Sequence, residues 1–515
     1  MSFQTDFSSF MEDTSHFKTI PIIESFSVDT LTPVQMVETL QDDIVYLLES
    51  KDDTSAWSRY SFIGLNPFLT IQEERGQFHV CGEEMEKLYT ASQLKEVLQW
   101  MSDACFIKAP DLDIPFTGGA VGYLSYDLMS LLEPSIAKHT KETEMAKCLL
   151  YVCRTMIAYD HELKKLHFIQ YVRLNGSETK EEKTLHFQQA KRELKKLTQR
   201  LSDGKTAKEL FLPQGRHGTP SFEHVQSTYE KSQFLADVER LKAYIKAGDI
   251  FQGVLSQRFD IPVKVSSFAL YRVLRMINPS PYMYYIKLPD RELVGSSPER
   301  LIHVQNGHLE IHPIAGTRKR GRDWAEDERL QKELLADEKE KAEHYMLVDL
   351  ARNDIGRVAE YGSVQVPEFT KIVSFSHVMH IISIVTGSIK AGVHPADALM
   401  SAFPAGTLTG APKIRAMQLL NELEPAPRET YGGCIAYIGF DGNIDSCITI
   451  RTMSVKNGVA SIQAGAGVVA DSVPEKEWEE TCNKAGALLK TIQIAEEMFL
   501  EKEEGGNEQT VEIMR

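Results

Sequence analysis

At 515 residues the chain exceeds one ordinary hydrophobic core and calls for two domains or one large two-lobed unit. Its composition, 42% hydrophobic and 25% charged, is that of a globular protein, and a net charge of −16 with no basic stripe excludes the footprint of a nucleic-acid binder. No stretch approaches the roughly 20 apolar residues of a membrane span, so a protein that does not enter the membrane is expected.

In chain order, residues 1–202 read as a β-rich N-terminal part. Short β-type runs (SRYSFIGLNPFLTIQ, GQFHVCG, FTGGAVGYLSYD, CLLYVCRTMIAYD, KLHFIQYVRL) alternate with turn signals, and a charged helix closes the part. Residues 203–222 lack periodicity and hold glycines and prolines, the mark of a linker or long loop. From 223 to 495 a second unit is expected. It opens with a helix whose Phe234, Val238, Leu241 and Ile245 share one face and which Gly248 stops. Strands then form a meander, with Asn306-Gly307, Asp441-Gly442 and Asn457-Gly458 as hairpin turns. Helices are expected over 326–351 and 412–422, the second with Pro412 in its first position. Residues 496–515 read as a polar tail. Strands that follow one another through short turns predict antiparallel sheets and an α+β class.

The first residues (MSFQTDFSSF) show no basic-then-apolar secretion signal. The seven cysteines (81, 105, 148, 153, 434, 447, 482) fall at no zinc or redox spacing. A reduced, cytoplasmic setting is the expectation.

Several clusters could carry chemistry. Glu340 and Glu343 are three apart, as are Glu477 and Glu480. Each pair lies on one helical face, and two such faces meeting would make an oxygen-rich socket for a hard cation such as Mg²⁺. The competing view is a solvated helix face with Glu480 and Lys484 as a simple i,i+4 pair. Arg451, inside CITIRTM, reads as a strand residue on the face of Cys447 and Thr449, and a guanidinium there must find an anion, either a structural carboxylate or a ligand. Gly465, Ala466 and Gly467 offer bare backbone to an anion. They formally fit a dinucleotide fingerprint, but the chain lacks the later strand and acid that reading needs. GTLTGAPK fails the phosphate-loop spacing, and the basic run GTRKRGR is either a solvated loop or a guide for an anion.

In order along the chain, PIAGTRKRGR, EHYMLVDLARND, HVMH, PAGTLTGAPK, YGGCIAYIGFDG, CITIRT, AGAG and EWEETCNKA closely resemble the chorismate-utilising enzymes, and within them the anthranilate synthase large subunits. The resemblance is dense from about 225 to 490 and reaches LLES and RYSFIGLNP upstream. It implies two mainly antiparallel β-sheets packed together with helices outside. It also implies Mg²⁺ on Glu343 and Glu480, with Glu340 and Glu477 as second ligands or water-mediated partners. Gly316, Thr317, Tyr431, Arg451, Gly465, Ala466, Gly467 and Lys484 would hold the two carboxylates of chorismate. Glu299 would act as general acid on the departing hydroxyl, His380 would assist aromatisation, and Gln252 and Thr407 would complete the catalytic set.

Two positions separate members of this family. Ala315 stands where aminodeoxychorismate synthases of one type carry a nucleophilic lysine, and Gln252 where isochorismate-forming relatives carry a lysine base. Both departures favour ammonia at C2 and anthranilate as product. Glu49 and Ser50, with Pro281, Tyr282 and Met283, resemble the family's tryptophan inhibitor site. No glutaminase motif of the G-x-C-x-G type occurs, so a separate glutamine amidotransferase subunit is expected to supply ammonia, in a heterotetramer. The rival expectations are an aminodeoxychorismate synthase, a tryptophan sensor without catalysis, and an unrelated Mg²⁺ hydrolase.

Overall fold

The computed structural model describes residues 4–51, 56–138, 141–204, 222, 224–374 and 378–508; the side chains of 56, 57 and 501–508 lie outside the description. The linker expected at 203–222 falls almost wholly outside the described residues, as do His377 and the last seven residues.

Two long strands, Tyr60–Glu74 and Cys148–Asp160, organise the molecule. They pair along their whole length, with a register shift between Pro67 and Leu69 beside Asn66, whose φ is 52°. A bulge of this kind bends a strand and lets it pass from one sheet to another. On one side of the bend the pair continues through Ile44–Glu49, Tyr282–Lys287, Glu292–Ser297, Thr452–Lys456 and Val459–Val468 to Gln252–Pro262. On the other it continues through Gly119–Leu124, Cys434–Gly439, Ile444–Ile448, Arg300–Gln305 and His308–Ile311 to Val378–Ser388. These pairings are all antiparallel, as expected of the α+β class. The N-terminal strands therefore lie inside both sheets, hydrogen-bonded to strands of the C-terminal half.

Alternation along each strand sorts the core into layers. Leu149, Tyr151 and Cys153 face an aromatic layer between the sheets, with Tyr46, Tyr123, Tyr284 and Tyr437. Leu150 and Val152 face the opposite way, among residues of helices Leu94–Cys105, Glu338–Gly356 and Pro395–Ala402. Ile157 and Tyr159 belong to a third layer, covered by helices Lys180–Asp203, Ser267–Ile277 and Pro474–Glu508. Each large apolar side chain buried this way contributes about 1.5–3 kcal/mol.

The helix Lys231–Ala247 ends at Gly248 in the left-handed conformation, and Asn306-Gly307 forms its hairpin, both as the sequence predicts. Three elements differ. The helix expected over 326–351 is two helices, Trp324–Ala336 and Glu338–Gly356, because the Asp337 carboxylate accepts from the amides of Lys339 and Glu340 and starts the second. Pro412 is the N-cap of helix Lys413–Leu423 instead of its first residue. Much of the region expected as a polar tail is helical: the last helix runs to Glu508, with Met498 and Phe499 packed on the core. Among the described residues no helix is long and apolar enough to cross a membrane.

Candidate active site

Where Glu292–Ser297 hands over to Arg300–Gln305, the chain passes from one sheet to the other, and Glu299 sits at the crossing. Its carbonyl accepts from the amide of Ile448 at 3.0 Å, which fixes the backbone there. The residue is half-buried. Burial pushes its pKa up to about 7, against the opposing pull of a hydrogen bond from Thr407 and the charges of Lys484 and Arg451. Thr407 Oγ1 donates to Glu299 Oε1 at 2.9 Å. The carboxyl is thus poised between acid and base near neutral pH.

Arg451 is placed differently from the strand reading. The strand Ile444–Ile448 stops, the next begins at Thr452, and Arg451 lies between them with φ 49°. Thr449 bonds the two glycines that follow Tyr431 (Gly432 N–H to Thr449 O and Thr449 N–H to Gly433 O, both 2.9 Å), two residues against one, so no alternation carries on from Cys447. Arg451 is exposed instead of lying in the core, and its charge acts on both Glu299 and His380.

Gly465, Ala466 and Gly467 offer their bare backbone from within a strand. They belong to strand Val459–Val468, paired on one side with Ser256, Leu255 and Val254. The neighbour on the other side, Thr452–Lys456, pairs only as far as Ile462, so the strand edge beyond it is open to other partners. Gly465 uses that edge: its carbonyl accepts from Lys484 Nζ at 2.9 Å, and its amide is hydrogen-bonded to the Tyr431 hydroxyl. Gly467, two residues on, turns its N–H and C=O the same way. Space favours glycine at 465, where a Cβ would lie 2.8 Å from the Tyr431 hydroxyl oxygen and 3.1 Å from the Leu255 carbonyl oxygen, while one on Gly467 would displace the end of the Gln252 side chain, 2.6 Å away.

Gly316 has φ 66° and interrupts the pairing of Ile314–Lys319 with Val378–Ser388. The bulge turns the Gly316 carbonyl to His380 Nδ1 at 3.0 Å, and Thr317 Oγ1 lies 3.1 Å from the same nitrogen. Burial depresses the imidazole pKa, the hydrogen bond to Gly316 opposes it, and the charge of Arg451 adds a smaller downward push. A carbonyl acceptor places the proton on Nδ1 and makes Nε2 the basic nitrogen.

The four glutamates share one neighbourhood. Burial raises the pKa of Glu343, and the charges of Glu340 and Glu480 raise it further. Glu477 is likewise raised by burial, with Glu480 adding to it and a Ser472 hydrogen bond opposing. Glu340 is held by Arg318 at 3.0 Å and Glu480 by Lys484 at 2.7 Å, and among the described residues no three such groups converge at ion-holding distance. Crowded, mutually repelling carboxylates and an all-oxygen donor set fit a hard divalent cation. The basic run is not an anion guide along its length: Arg318 bonds Glu333, Asp337 and Glu340, and Arg320 bonds Asp327.

The two segments considered for an inhibitor are adjacent. Glu49 pairs with Met283, and Lys51 N–H donates to Ser280 O at 3.1 Å. Both carboxylate oxygens of Glu49 are engaged, by Arg275, Tyr271 and Ser61. Ser50 Oγ is buried with no hydrogen-bond partner among the described residues. Tyr282 donates to Asp445 Oδ1 at 3.0 Å and accepts from Arg300 Nε at 2.8 Å, so it reaches the neighbour of Glu299.

Sequence reading missed one pair, Glu424 and Arg428. Both are buried and sit directly behind Tyr431. The available signal was an acid and a base four apart in ELEPAPRETYGG.

Residues 44–490 match the chorismate binding enzyme family. Over its full length of 515 residues the chain is 73% identical to the whole of anthranilate synthase component 1 of Bacillus subtilis (strain 168). The crystal structure of anthranilate synthase component I from Streptococcus pneumoniae TIGR4 superposes with a TM-score of 0.71 at 34% identity, covering 90% of this chain and 98% of that one. The menaquinone-specific isochorismate synthase of Escherichia coli shares the fold, with a TM-score of 0.66 at 17% identity, covering 94% of this chain and 98% of that one. The chain therefore belongs to the chorismate binding enzyme family.

Proposed function

We propose that this chain is the large subunit of an anthranilate synthase: in the cytoplasm it converts chorismate and ammonia to anthranilate, pyruvate and water, the entry to tryptophan synthesis. The observation that carries the reading is a carboxyl raised to about 7, Glu299, under the charges of Arg451 and Lys484, with Lys484 bonded to an open glycine strand edge. Arg451, Lys484, Tyr431 and the amides of Thr317 and Gly467 offer a dianionic substrate its counter-charges and donors. Glu299 protonates the leaving 4-hydroxyl, so that water departs instead of hydroxide. Ammonia bonds to C2; His380, basic at Nε2, then takes the C2 proton as pyruvate leaves and the ring becomes aromatic. Gln252 cannot abstract a proton from water, and Ala315 has no nucleophile, which fits ammonia as the group added.

Glu343 and Glu480 would hold Mg²⁺, with Glu340 and Glu477 behind them. When bound, such an ion supplies positive charge to a substrate carboxylate and to the charge developing in the ring. The purified chain, mixed with chorismate, Mg²⁺ and ammonia at elevated pH, is expected to release blue-fluorescent anthranilate, and to release none when glutamine replaces ammonia. A 4-amino product would instead identify an aminodeoxychorismate synthase, and turnover of glutamine would refute the need for a partner amidotransferase.

The adjacent Ser50 and Pro281–Met283 segments form the tryptophan site on this reading, and the Tyr282–Arg300 hydrogen bond gives it a physical route to Glu299. Inhibition requires that tryptophan bind a less active arrangement more tightly than the active one. Ser50→Phe, which fills the space around an unpartnered hydroxyl, is expected to keep basal activity and raise the tryptophan concentration for half inhibition by about tenfold or more, a loss of roughly 1.4 kcal/mol. Unchanged inhibition would remove Ser50 from the site.

A further inference from the structure

Behind the substrate-facing side chains, Arg428 makes contacts to four separate parts of the active site. Nε and Nη2 donate to the two oxygens of Glu424 at 2.7 and 2.6 Å, Nη1 donates to Leu408 O at 2.7 Å, and Nη2 donates to Val254 O at 2.6 Å. The guanidinium carbon lies 4.4 Å from the ring centre of Tyr126 and 5.6 Å from that of Tyr431. Glu424 is shared in turn: its Oε1 also accepts from the amide and hydroxyl of Ser256 at 2.8 and 2.7 Å. Arg428 is 3% exposed and Glu424 4%, too deep for either to touch chorismate.

The anchored points are the ones the reaction uses. Leu408 follows Thr407 in the short helix Gly406–Thr409, and Thr407 donates to Glu299. Val254 and Ser256, in strand Gln252–Pro262, are paired with Gly467 and Gly465, and the free edge of Gly465 meets Lys484 and Tyr431. We propose that Arg428, clamped by Glu424, is a positioning residue: one guanidinium fixes the Thr407 helix, the Gly465–Gly467 strand and the Tyr431 ring at set distances, and so sets how Thr407 holds the general acid. A planar fork can bond several acceptors in fixed directions, whereas an ammonium cannot reach them together. The inference rests on the activity proposed above.

The test separates positioning from mere support. Arg428→Lys keeps the charge opposite Glu424, so no buried carboxylate is left without a counter-ion. The pH dependence of kcat is measured at constant free ammonia for the wild type, Arg428→Lys, Thr407→Val and the double variant. Lys484 and Arg451, the charges that face Glu299, are unchanged throughout. Thr407→Val removes a bond that favours ionised Glu299, so its alkaline limb moves to higher pH. Arg428→Lys is expected to lower kcat by about a hundredfold and to move the limb in the same direction, and the double variant to move it no further than the larger single shift. A limb left in place by Arg428→Lys, or shifts that add in the double variant, would overturn the proposal. Should Arg428→Lys lack a cooperative unfolding transition, Glu424→Gln replaces it. That change loosens the clamp and must move the limb the same way; an unmoved limb overturns the proposal equally. A wild type that makes no anthranilate is seen before any variant is compared, and it overturns the activity and this inference together.

Discussion

Glu299→Gln is expected to lower kcat by about two to four orders of magnitude while leaving the KM for chorismate nearly unchanged, because the lost interaction is made to a proton that moves only in the transition state. Glutamine fills the same space and still accepts from Thr407, so geometry at 2.9 Å is retained and only the acid is removed. Steady-state kinetics with ammonia decides it; a kcat within tenfold of wild type would assign the acid elsewhere. The wild-type profile carries a second mark of this residue. Its folded-state pKa of about 7 exceeds the ordinary 4.5, so the acid form is depleted, and turnover falls, as pH rises through 7. The same shift gives a sign for stability. A carboxyl whose pKa is raised on folding favours the fold fully below about 4.5 and loses that contribution as pH rises to 7. Glu299→Gln should therefore flatten both the rate profile and the stability profile across that window, the first by losing activity and the second by removing a buried charge.

The local devices were legible in the sequence because each is decided within a few residues. Gly248 stops a helix, Asn306-Gly307 turns a hairpin, and the strand runs of the N-terminal part appear where alternation and turn residues place them. What failed was any inference that carried a local pattern through a point set by distant contacts. CITIRTM alternates like a strand, yet Arg451 adopts φ 49° because Thr449 is captured by Gly433 and Ser296 bonds Arg451 O. AGAG, by contrast, continues a regular strand, and its bare backbone is offered from the strand edge beside the Tyr431 hydroxyl. The helix through 337 has helical periodicity on both sides, and a single aspartate cap divides it. The family resemblance supplied Glu299 and His380; sequence could not supply the burial and the Gly316 carbonyl that tune them. Glu424 and Arg428 escaped because EPAPR, with two prolines, reads as a loop, where charged side chains are ordinarily solvated. Only the fold shows this pair beneath Tyr431.

Glu343→Gln tests the remaining element, and its two expected effects have opposite signs. In the folded chain Glu343 is pushed above the usual carboxylate range by burial first, then by Glu340 and Glu480, with Lys339 and Lys484 opposing. Its ionised form is therefore a liability to the fold at neutral pH, a contribution lost as pH rises through the raised pKa. Replacing it with a neutral isostere should make the metal-free protein slightly more stable, by about 1–2 °C in Tm for a chain of this size. Activity with chorismate and ammonia should meanwhile fall by about a hundredfold or more, since an amide neither carries the charge nor binds a hard cation as a carboxylate does. Thermal unfolding with and without Mg²⁺ joins the two. Wild type should gain Tm on adding the ion, by mass action on a site present only in the folded state, while Glu343→Gln starts higher and gains little. Glu480→Gln should lose the same Mg²⁺ response, although its stability gain is smaller because Glu480 already has Lys484 at 2.7 Å on an exposed surface. If both variants kept the wild-type Tm response to Mg²⁺, the ion would bind elsewhere. The crowding of carboxylates would then be a cost of the fold with no cation to explain it, and stability exchanged for function is what such crowding otherwise signifies.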